Sequence, residues 1–202
     1  MIVVIDYGMG NLRSVSKALE SVGAAVRVSG DPKDVAGADK IILPGVGAFP
    51  AAMRELSARK LVEPITAAIE GGKPYLGICL GLQLLFDSSE ERKGGRGFGV
   101  FRGSVRRFPS DAKLKVPHIG WNQVRQRTAG CPLLNGIPDN SFFYFVHSYY
   151  PEPADASVTA LDTEYGRPFA SMVWRDRVFA TQFHPEKSQA LGLRLLKNFV
   201  EL

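Results

Sequence analysis

The chain has 202 residues, of which 45% are hydrophobic and 22% charged. This composition is typical of one globular domain, so we expect residues 1–202 to fold as a unit, and it excludes a disordered chain. No apolar run approaches the roughly 20 residues of a membrane helix. Cys79 and Cys131 are far apart in sequence, which favours a reducing compartment over a disulfide framework. We therefore expect a cytoplasmic protein that contacts no membrane.

The first ninety residues alternate predicted strands with predicted helices. The strands are predicted at 2–5, 24–28, 41–43 and 73–78. Helical periodicity covers 11–22 and roughly 50–70. Such alternation predicts a three-layer α/β fold, in which helices cover both faces of a mostly parallel sheet. Sites in these folds form at the carboxyl ends of strands.

From about residue 95 the pattern changes to short β-like stretches without long helices between them. They lie at 103–108, 118–125, 141–150, 157–162, 169–174 and 178–183. We expect an antiparallel β addition to the same domain in this C-terminal half. A helix follows, and Ser188 is its expected N-cap.

The net charge of +5 is unevenly distributed. Residues 92–127 contain ten Lys and Arg residues, including Lys113, and a single acid, Asp111. A solvated basic face is the first interpretation, and a face that meets an acidic protein partner is the second. Nucleic-acid binding ranks last, because the segment has no helix-turn-helix, zinc-finger or aromatic–basic signature.

Cys79 directly follows the predicted strand at 73–78, with Gly77 before it and Gly81 after it. A predicted helix comes next, with an apolar stripe of Leu82, Leu85 and Phe86. The pattern G-x-C-x-G is the cysteine counterpart of the nucleophile elbow, a tight strand-to-helix turn. Its glycines leave room for the turn, and the N–H groups at the helix start stabilise a thiolate. The Leu80 N–H would then face a developing oxyanion. A buried structural cysteine is the alternative interpretation of this pattern.

His184 and Glu186 follow the last predicted strand. In an extended segment, residues two apart point to the same side, and Pro185 stiffens that geometry. A carboxylate beside an imidazole fixes its tautomer and leaves the other nitrogen for a nucleophile. We therefore predict a thiol triad of Cys79, His184 and Glu186.

Three further positions are candidates for substrate or oxyanion contacts. Gly45 and Gly47 follow the predicted strand at 41–43, where backbone N–H groups could approach a substrate oxygen. Gln83 lies one helical turn after Cys79 and suits a polar, uncharged substrate group. A simple β-to-α turn and a solvent-exposed glutamine are the alternatives.

Metal and cofactor chemistry find little support in the sequence. His118, His147 and His184 lie on different predicted strands and share no ligand spacing, so we expect no metal site. The segment 8–11 has too few glycines, and no acidic partner, for a dinucleotide site. We expect no cofactor.

Together these motifs resemble those of the class I (triad-type) glutamine amidotransferases. The matching segments are 77–83 and 182–186, with finer matches at 6–12, 44–49, 117–122, 145–149 and 186–188. The ordered set runs from the first predicted strand to the last helix. The finer segments are similar to those of family members that supply ammonia for histidine biosynthesis.

The resemblance implies that Cys79 attacks the amide of glutamine and that His184 protonates the departing ammonia. Water then releases glutamate from the thioester. It also implies that Gln83 and the backbone around Ser148 and Tyr149 hold the amino-acid end of glutamine.

The resemblance further implies a heterodimer, in which ammonia passes to a (βα)8-barrel cyclase subunit. Trp121, Tyr144 and Lys187 are similar to family positions near that subunit interface.

One departure from the broader superfamily concerns Val46, which separates Gly45 from Gly47 where many members have adjacent glycines. A β-branched residue restricts the peptide flip that would aim an N–H into the oxyanion hole. We hypothesise that the isolated chain is nearly idle until its partner docks.

Two other functions stay open at this point: a stand-alone cysteine hydrolase of γ-glutamyl or peptide bonds, and a noncatalytic α/β binding module.

Overall fold

The computed structural model describes residues 1–93, 95–109 and 114–202. The strands are β1 (Ile2–Ile5), β2 (Val26–Ser29), β3 (Lys40–Gly45), β4 (Tyr75–Cys79), β5 (Phe86–Ser89), β6 (Gly95–Arg96), β7 (Phe101–Arg107), β8 (His118–Gln123), β9 (Arg125–Gln126), β10 (Phe142–His147), β11 (Tyr149–Pro153), β12 (Thr159–Glu164), β13 (Pro168–Arg175) and β14 (Val178–Thr181). The helices are α1 (Leu12–Ser21), α2 (Pro32–Gly37), α3 (Phe49–Ala58), α4 (Val62–Glu70), α5 (Leu80–Gln83) and α6 (Gln189–Val200).

An eight-stranded sheet forms the centre of the fold, in the order β2-β1-β3-β4-β14-β13-β12-β9. The pairs from β2 to β14 are parallel, and those from β14 to β9 are antiparallel. The strand that closes the parallel part, β14, comes from the far end of the chain and pairs directly with β4. The end of β4 and the end of β14 therefore lie side by side at one edge of the sheet.

Alternating side chains on the parallel strands fill two cores, one on each face of the sheet. Val4 belongs to the core that includes Leu19 of α1 and Leu195 of α6. Val3 belongs to the other core, with Leu56 of α3 and Ile65 of α4. Because strand side chains alternate in direction, a fully apolar strand such as β1 requires cover on both faces. The predicted three-layer α/β fold is confirmed.

The strands added in the C-terminal half do not all join the central sheet. Besides β13, β12 and β9, two smaller sheets form: an antiparallel pair of β10 and β8, and a mixed sheet of β11, β7, β5 and β6, in which β5 pairs parallel with β7. No sequence pattern predicts β5, β6 or α2, which are short and lack a clear period. The prediction that Phe86 belongs to the helix after Cys79 is wrong: Phe86 begins β5, and its ring centroid lies 5.9 Å from that of Phe101.

Ser188 is not the side-chain cap that the sequence suggested. Its hydroxyl donates to the His184 carbonyl at 2.7 Å and accepts from the Tyr144 N–H at 3.0 Å, and it makes no cap bond to α6. Ser188 therefore ties β10 to the segment that carries His184.

Acidic residues from outside the basic segment neutralise part of its charge. Ion pairs join Arg106 to Glu90 and Glu152, and both Arg125 and Arg127 to Asp162. Lys113 and Asp111 lie outside the described residues.

In the described ranges, every helix is too short or too polar to cross a bilayer.

Candidate active site

Cys79 lies at a sharp turn between β4 and α5. Its backbone is left-handed, with φ 56° and ψ −104°, a conformation that L-residues rarely adopt. A Cβ atom at Gly77 would lie 2.5 Å from the Gly81 carbonyl oxygen, and one at Gly81 would lie 1.9 Å from the Leu43 oxygen. Gly77 is therefore needed for the turn to close on itself, and Gly81 for the turn to pack against β3, as the sequence pattern predicted.

The helix after Cys79 is shorter than predicted. It contains Leu80–Gln83 alone, and the Tyr75 hydroxyl donates to the Gly81 carbonyl at 2.9 Å beneath it. On the neighbouring strand, Gly45 lies in register with Cys79. This one-turn helix is long enough to present the Leu80 backbone beside the sulfur.

His184 and Glu186 form a buried pair beyond the end of β14. The His184 Nδ1 atom lies 2.8 Å from Glu186 Oε1, and both side chains are almost completely buried. The His184 N–H donates to the Tyr144 carbonyl at 2.9 Å, which fixes the backbone. Nε2 is also buried and has no hydrogen-bond partner among the described residues, so it is the unpaired nitrogen near Cys79.

The charges around His184 favour its protonated form. Burial opposes the imidazolium, but the Cys79 thiolate and the Glu186 carboxylate outweigh that effect and raise the pKa of His184 from 6.5 to about 10. The His184 imidazole therefore carries a proton at neutral pH.

A cavity of about 300 Å³ opens beside the sulfur. Six of the residues proposed from the sequence line it, namely Gly47, Cys79, Leu80, Gln83, Ser148 and Tyr149. They are distant in sequence, and they meet because β3 pairs with β4 and because Gln83 is hydrogen-bonded to the Tyr149 carbonyl. The cavity is large enough for an amino acid.

Gly45 does not line the cavity but packs beneath it. A Cβ atom there would lie 2.5 Å from the Tyr7 hydroxyl and 2.8 Å from Leu80 Cβ. The Tyr7 hydroxyl is buried without a hydrogen-bond partner among the described residues. Burial, and to a smaller extent Cys79, raise the pKa of Tyr7 far above its ordinary value, so the hydroxyl stays protonated.

Two polar side chains that sequence reasoning gave no role lie at this site. Gln182 Nε2 is 3.7 Å from the Cys79 sulfur, and Gln182 is completely buried. His147 pairs with His118 across β10 and β8, with the Nε2 of His147 2.9 Å from the Nδ1 of His118. Gln182 belongs to the quoted 182–186 motif, and its place two residues before His184 was the available signal. The histidine pairing depends on strand register and had no local signal.

The three residues linked to an interface also lie together. Trp121 and Tyr144 face each other in register on β8 and β10, with ring centroids 6.2 Å apart. The Lys187 ammonium lies 5.8 Å from the Tyr144 ring centroid. Trp121 and Lys187 are exposed.

Within residues 1–93, 95–109 and 114–202, no three His, Cys, Asp or Glu residues are grouped so that they could hold a metal ion.

Comparison with known proteins gives full-length matches. A family model described as glutamine amidotransferase class-I matches residues 3–202. A curated protein from Syntrophotalea carbinolica, named imidazole glycerol phosphate synthase subunit HisH, is 57% identical, and the match covers 100% of both chains. A protein of the same name from Acinetobacter baylyi is 51% identical over 99% of this chain and 97% of that one.

Solved structures share the fold at low sequence identity. PurLQS from Thermotoga maritima superposes with a TM-score of 0.76 at 20% identity, over 99% of this chain and 96% of the other. The glutaminase domain of Trypanosoma brucei CTPS, solved with bound acivicin, gives 0.69 at 17% identity, over 99% and 93%. Family model, curated relatives and fold agree along the whole chain. The chain therefore belongs to the class-I glutamine amidotransferase family.

Proposed function

We propose that this chain is the glutaminase subunit of imidazole glycerol phosphate synthase and acts in histidine biosynthesis. Residues 1–202 would act as one glutamine amidotransferase domain in the cytoplasm. The observation that carries the proposal is the convergence of Cys79 with the buried His184–Glu186 pair beside a cavity of about 300 Å³. The full-length relatives named subunit HisH support the choice of pathway. The unpaired cysteines support a reducing compartment.

Cys79, His184 and Glu186 have separate roles in the proposed reaction. The Cys79 thiolate attacks the amide carbon of glutamine, and the oxygen becomes an oxyanion beside the backbone of Leu80 and Gly47. Collapse breaks the C–N bond while the His184 imidazolium gives its proton to the nitrogen, so ammonia leaves. Neutral His184 then takes a proton from water as it attacks the thioester, and glutamate and the thiolate–imidazolium pair are regenerated. Glu186 holds His184 in orientation throughout.

Gln83 suits the ammonium end of the substrate. Its Nε2 donates to the Tyr149 carbonyl at 3.0 Å and to Gln182 Oε1 at 3.2 Å. Because both N–H bonds are used, Oε1 is the Gln83 atom that a ligand can approach, and an oxygen acceptor suits an ammonium group. Ser148 and Tyr149 line the same cavity and would complete the contacts to the amino-acid end.

The partner would be a cyclase subunit with a (βα)8-barrel fold that docks on the sheet of β8 and β10. That sheet exposes three large apolar side chains, Ile119, Trp121 and Phe142. Tyr144 and Lys187 lie beside them. Exposed apolar side chains in a cluster are typical of protein interfaces.

Stimulation by the partner is the test of this function. In complex with the cyclase subunit and its ligand, a phosphorylated ribulosyl aminoimidazole, we expect glutamate release at least roughly 100-fold faster than from the isolated chain. Glutamate and ammonia are measured for the chain alone, the complex, and the complex with ligand. Absence of glutamate in all three would overturn the proposed function. Equal rates in all three would overturn only the coupling.

Val46 provides a matched variant for the coupling. It is 41% exposed, so Val46→Gly removes little core packing and frees the backbone between two glycines. If the β-branched residue restrains the loop, this variant hydrolyses glutamine faster than wild type when isolated. Fast hydrolysis of peptides by the isolated wild-type chain would instead favour a stand-alone hydrolase.

The pH dependence follows from the His184 imidazolium. Since the departing ammonia takes its proton from His184, kcat/KM of the complex should fall only as pH rises through about 10. Glu186→Gln removes one charge that raises the pKa of His184, so kcat/KM of this variant should begin to fall at lower pH than kcat/KM of the wild type. The same elevated pKa stabilises the fold below 6.5, and this contribution disappears as pH passes about 10. If kcat/KM of the wild-type complex fell as pH rose through about 6.5, the stabilisation of the His184 imidazolium by its partners would be contradicted.

A further inference from the structure

A chain of hydrogen bonds leads from a backbone carbonyl to the nucleophilic sulfur. The Tyr149 carbonyl accepts from His147 Nδ1 at 2.8 Å and from Gln83 Nε2 at 3.0 Å. Gln83 Nε2 also donates to Gln182 Oε1 at 3.2 Å, and Gln182 Nε2 lies 3.7 Å from Cys79 Sγ. Gln83 and Gln182 are buried, so these contacts are protected from competing water.

The partners fix the orientation of both amides. A backbone carbonyl can only accept, so the Gln83 atom that faces the Tyr149 oxygen must be its NH₂ group. The second hydrogen of that group points to Gln182, whose facing atom must therefore be the carbonyl oxygen. The remaining Gln182 atom is its NH₂ group, and that group faces the Cys79 sulfur.

We propose that Gln182 holds the Cys79 thiolate by donating a hydrogen bond to it, in an orientation that Gln83 and the Tyr149 carbonyl impose. The sulfur would then have two donors, the Gln182 amide and the His184 imidazolium. Other groups near the sulfur are the Tyr7 hydroxyl and, through His184, the Glu186 carboxylate. A donor on the sulfur stabilises the thiolate over the thiol and directs its remaining lone pairs into the cavity.

This role would couple the nucleophile to the substrate contact. Gln83 is the residue proposed to contact the ammonium group of glutamine, and the same residue orients Gln182. Occupation of the cavity would therefore tighten the network that holds the thiolate. This inference rests on the proposed function for its kinetic consequence, but the state of the thiolate can be measured without glutamine.

Two substitutions separate the sulfur contact from the Gln83 contact. Gln182→Met keeps an unbranched side chain of similar size, and it removes both the donor to Cys79 and the acceptor for Gln83. Gln182→Glu keeps an acceptor for Gln83 but replaces the donor to Cys79 with a second oxygen. If Gln182 acts on the sulfur, both variants weaken the thiolate, and Glu does so more because a carboxylate repels it.

The measurement is the pH profile of Cys79 alkylation by iodoacetamide, read by mass spectrometry of the Cys79 peptide. We expect Gln182→Met to slow alkylation at neutral pH about tenfold and to move the profile to higher pH. Gln182→Glu should slow it further. Profiles that overlay wild type would overturn the proposal. The proposal would also be overturned if Gln182→Met slowed alkylation while Gln182→Glu was alkylated at the wild-type rate. Gln182 would then act only by holding Gln83.

Thr181→Val is the matched control, because Thr181 is also fully buried and its hydroxyl donates to the Phe183 carbonyl rather than to the sulfur. It should lower the melting temperature without moving the alkylation profile. If a Gln182 variant is unstable alone, the profile is measured in the cyclase complex, where binding stabilises the folded state. If the wild-type complex released no glutamate, the proposed function would be wrong. If the Gln182 variants had the wild-type alkylation profile, the proposed role of Gln182 would be wrong.

Discussion

Cys79→Ser should lower the rate of glutamine hydrolysis by the cyclase complex by about 10⁴-fold or more. A serine hydroxyl is a far weaker nucleophile than a thiolate, and it removes the negative charge that sustains the His184 imidazolium. The side chain is nearly isosteric, so the melting temperature should change little. Glutamate release and thermal unfolding are measured on the same preparation. Retention of more than about one hundredth of the wild-type rate would rule out the proposed nucleophile.

Cys131 is the control thiol for this experiment. Burial is the main reason that its pKa rises to about 11, so it is a neutral thiol at neutral pH. Cys131→Ala should therefore leave glutamate release unchanged. An electrophilic glutamine analogue should label Cys79 stoichiometrically and leave Cys131 unmodified. A folded protein without any adduct would favour a noncatalytic binding module.

Gly81→Ala should destabilise the protein by at least about 3 kcal/mol, since the added methyl would lie 1.9 Å from the Leu43 carbonyl oxygen. The oxygen belongs to the backbone of β3 and the methyl is fixed to the Cα of the turn, so neither can move aside as a flexible side chain does. For a chain of this length, such a loss lowers the melting temperature by roughly 6–12 °C. The turn that carries Cys79 must also shift, so the remaining folded protein should hydrolyse glutamine at least about 100-fold more slowly.

Gly37 is a matched position at which the same change should be harmless. Nothing lies within 4 Å of a Cβ atom there, and Gly37 ends helix α2 without a left-handed backbone. Gly37→Ala should leave stability unchanged or raise it by up to about 1 kcal/mol. If Gly81→Ala melted at the same temperature as Gly37→Ala, the close approach of the turn to β3 would be refuted.

Tertiary structure changed the role of several residues whose local pattern was ambiguous. Phe86 continues an apolar helical period after Cys79, yet it begins β5 because its ring packs against Phe101. Ser188 has the sequence position of a helix cap, but its hydroxyl bonds to His184 and Tyr144. In both cases a partner distant in sequence offers a better contact than the local one, and a local pattern contains no information about that partner.

By itself the sequence determined the α/β class, the elbow at Cys79 and the proximity of His184 to Glu186. These features depend on local chemistry: strand and helix periods, glycines two residues from the cysteine, and a proline between the histidine and the carboxylate. Only the tertiary structure decided that Gln182 faces the Cys79 sulfur. That contact depends on the pairing of β14 with β4, across about a hundred residues of chain, and strand pairing depends on packing over the whole sheet.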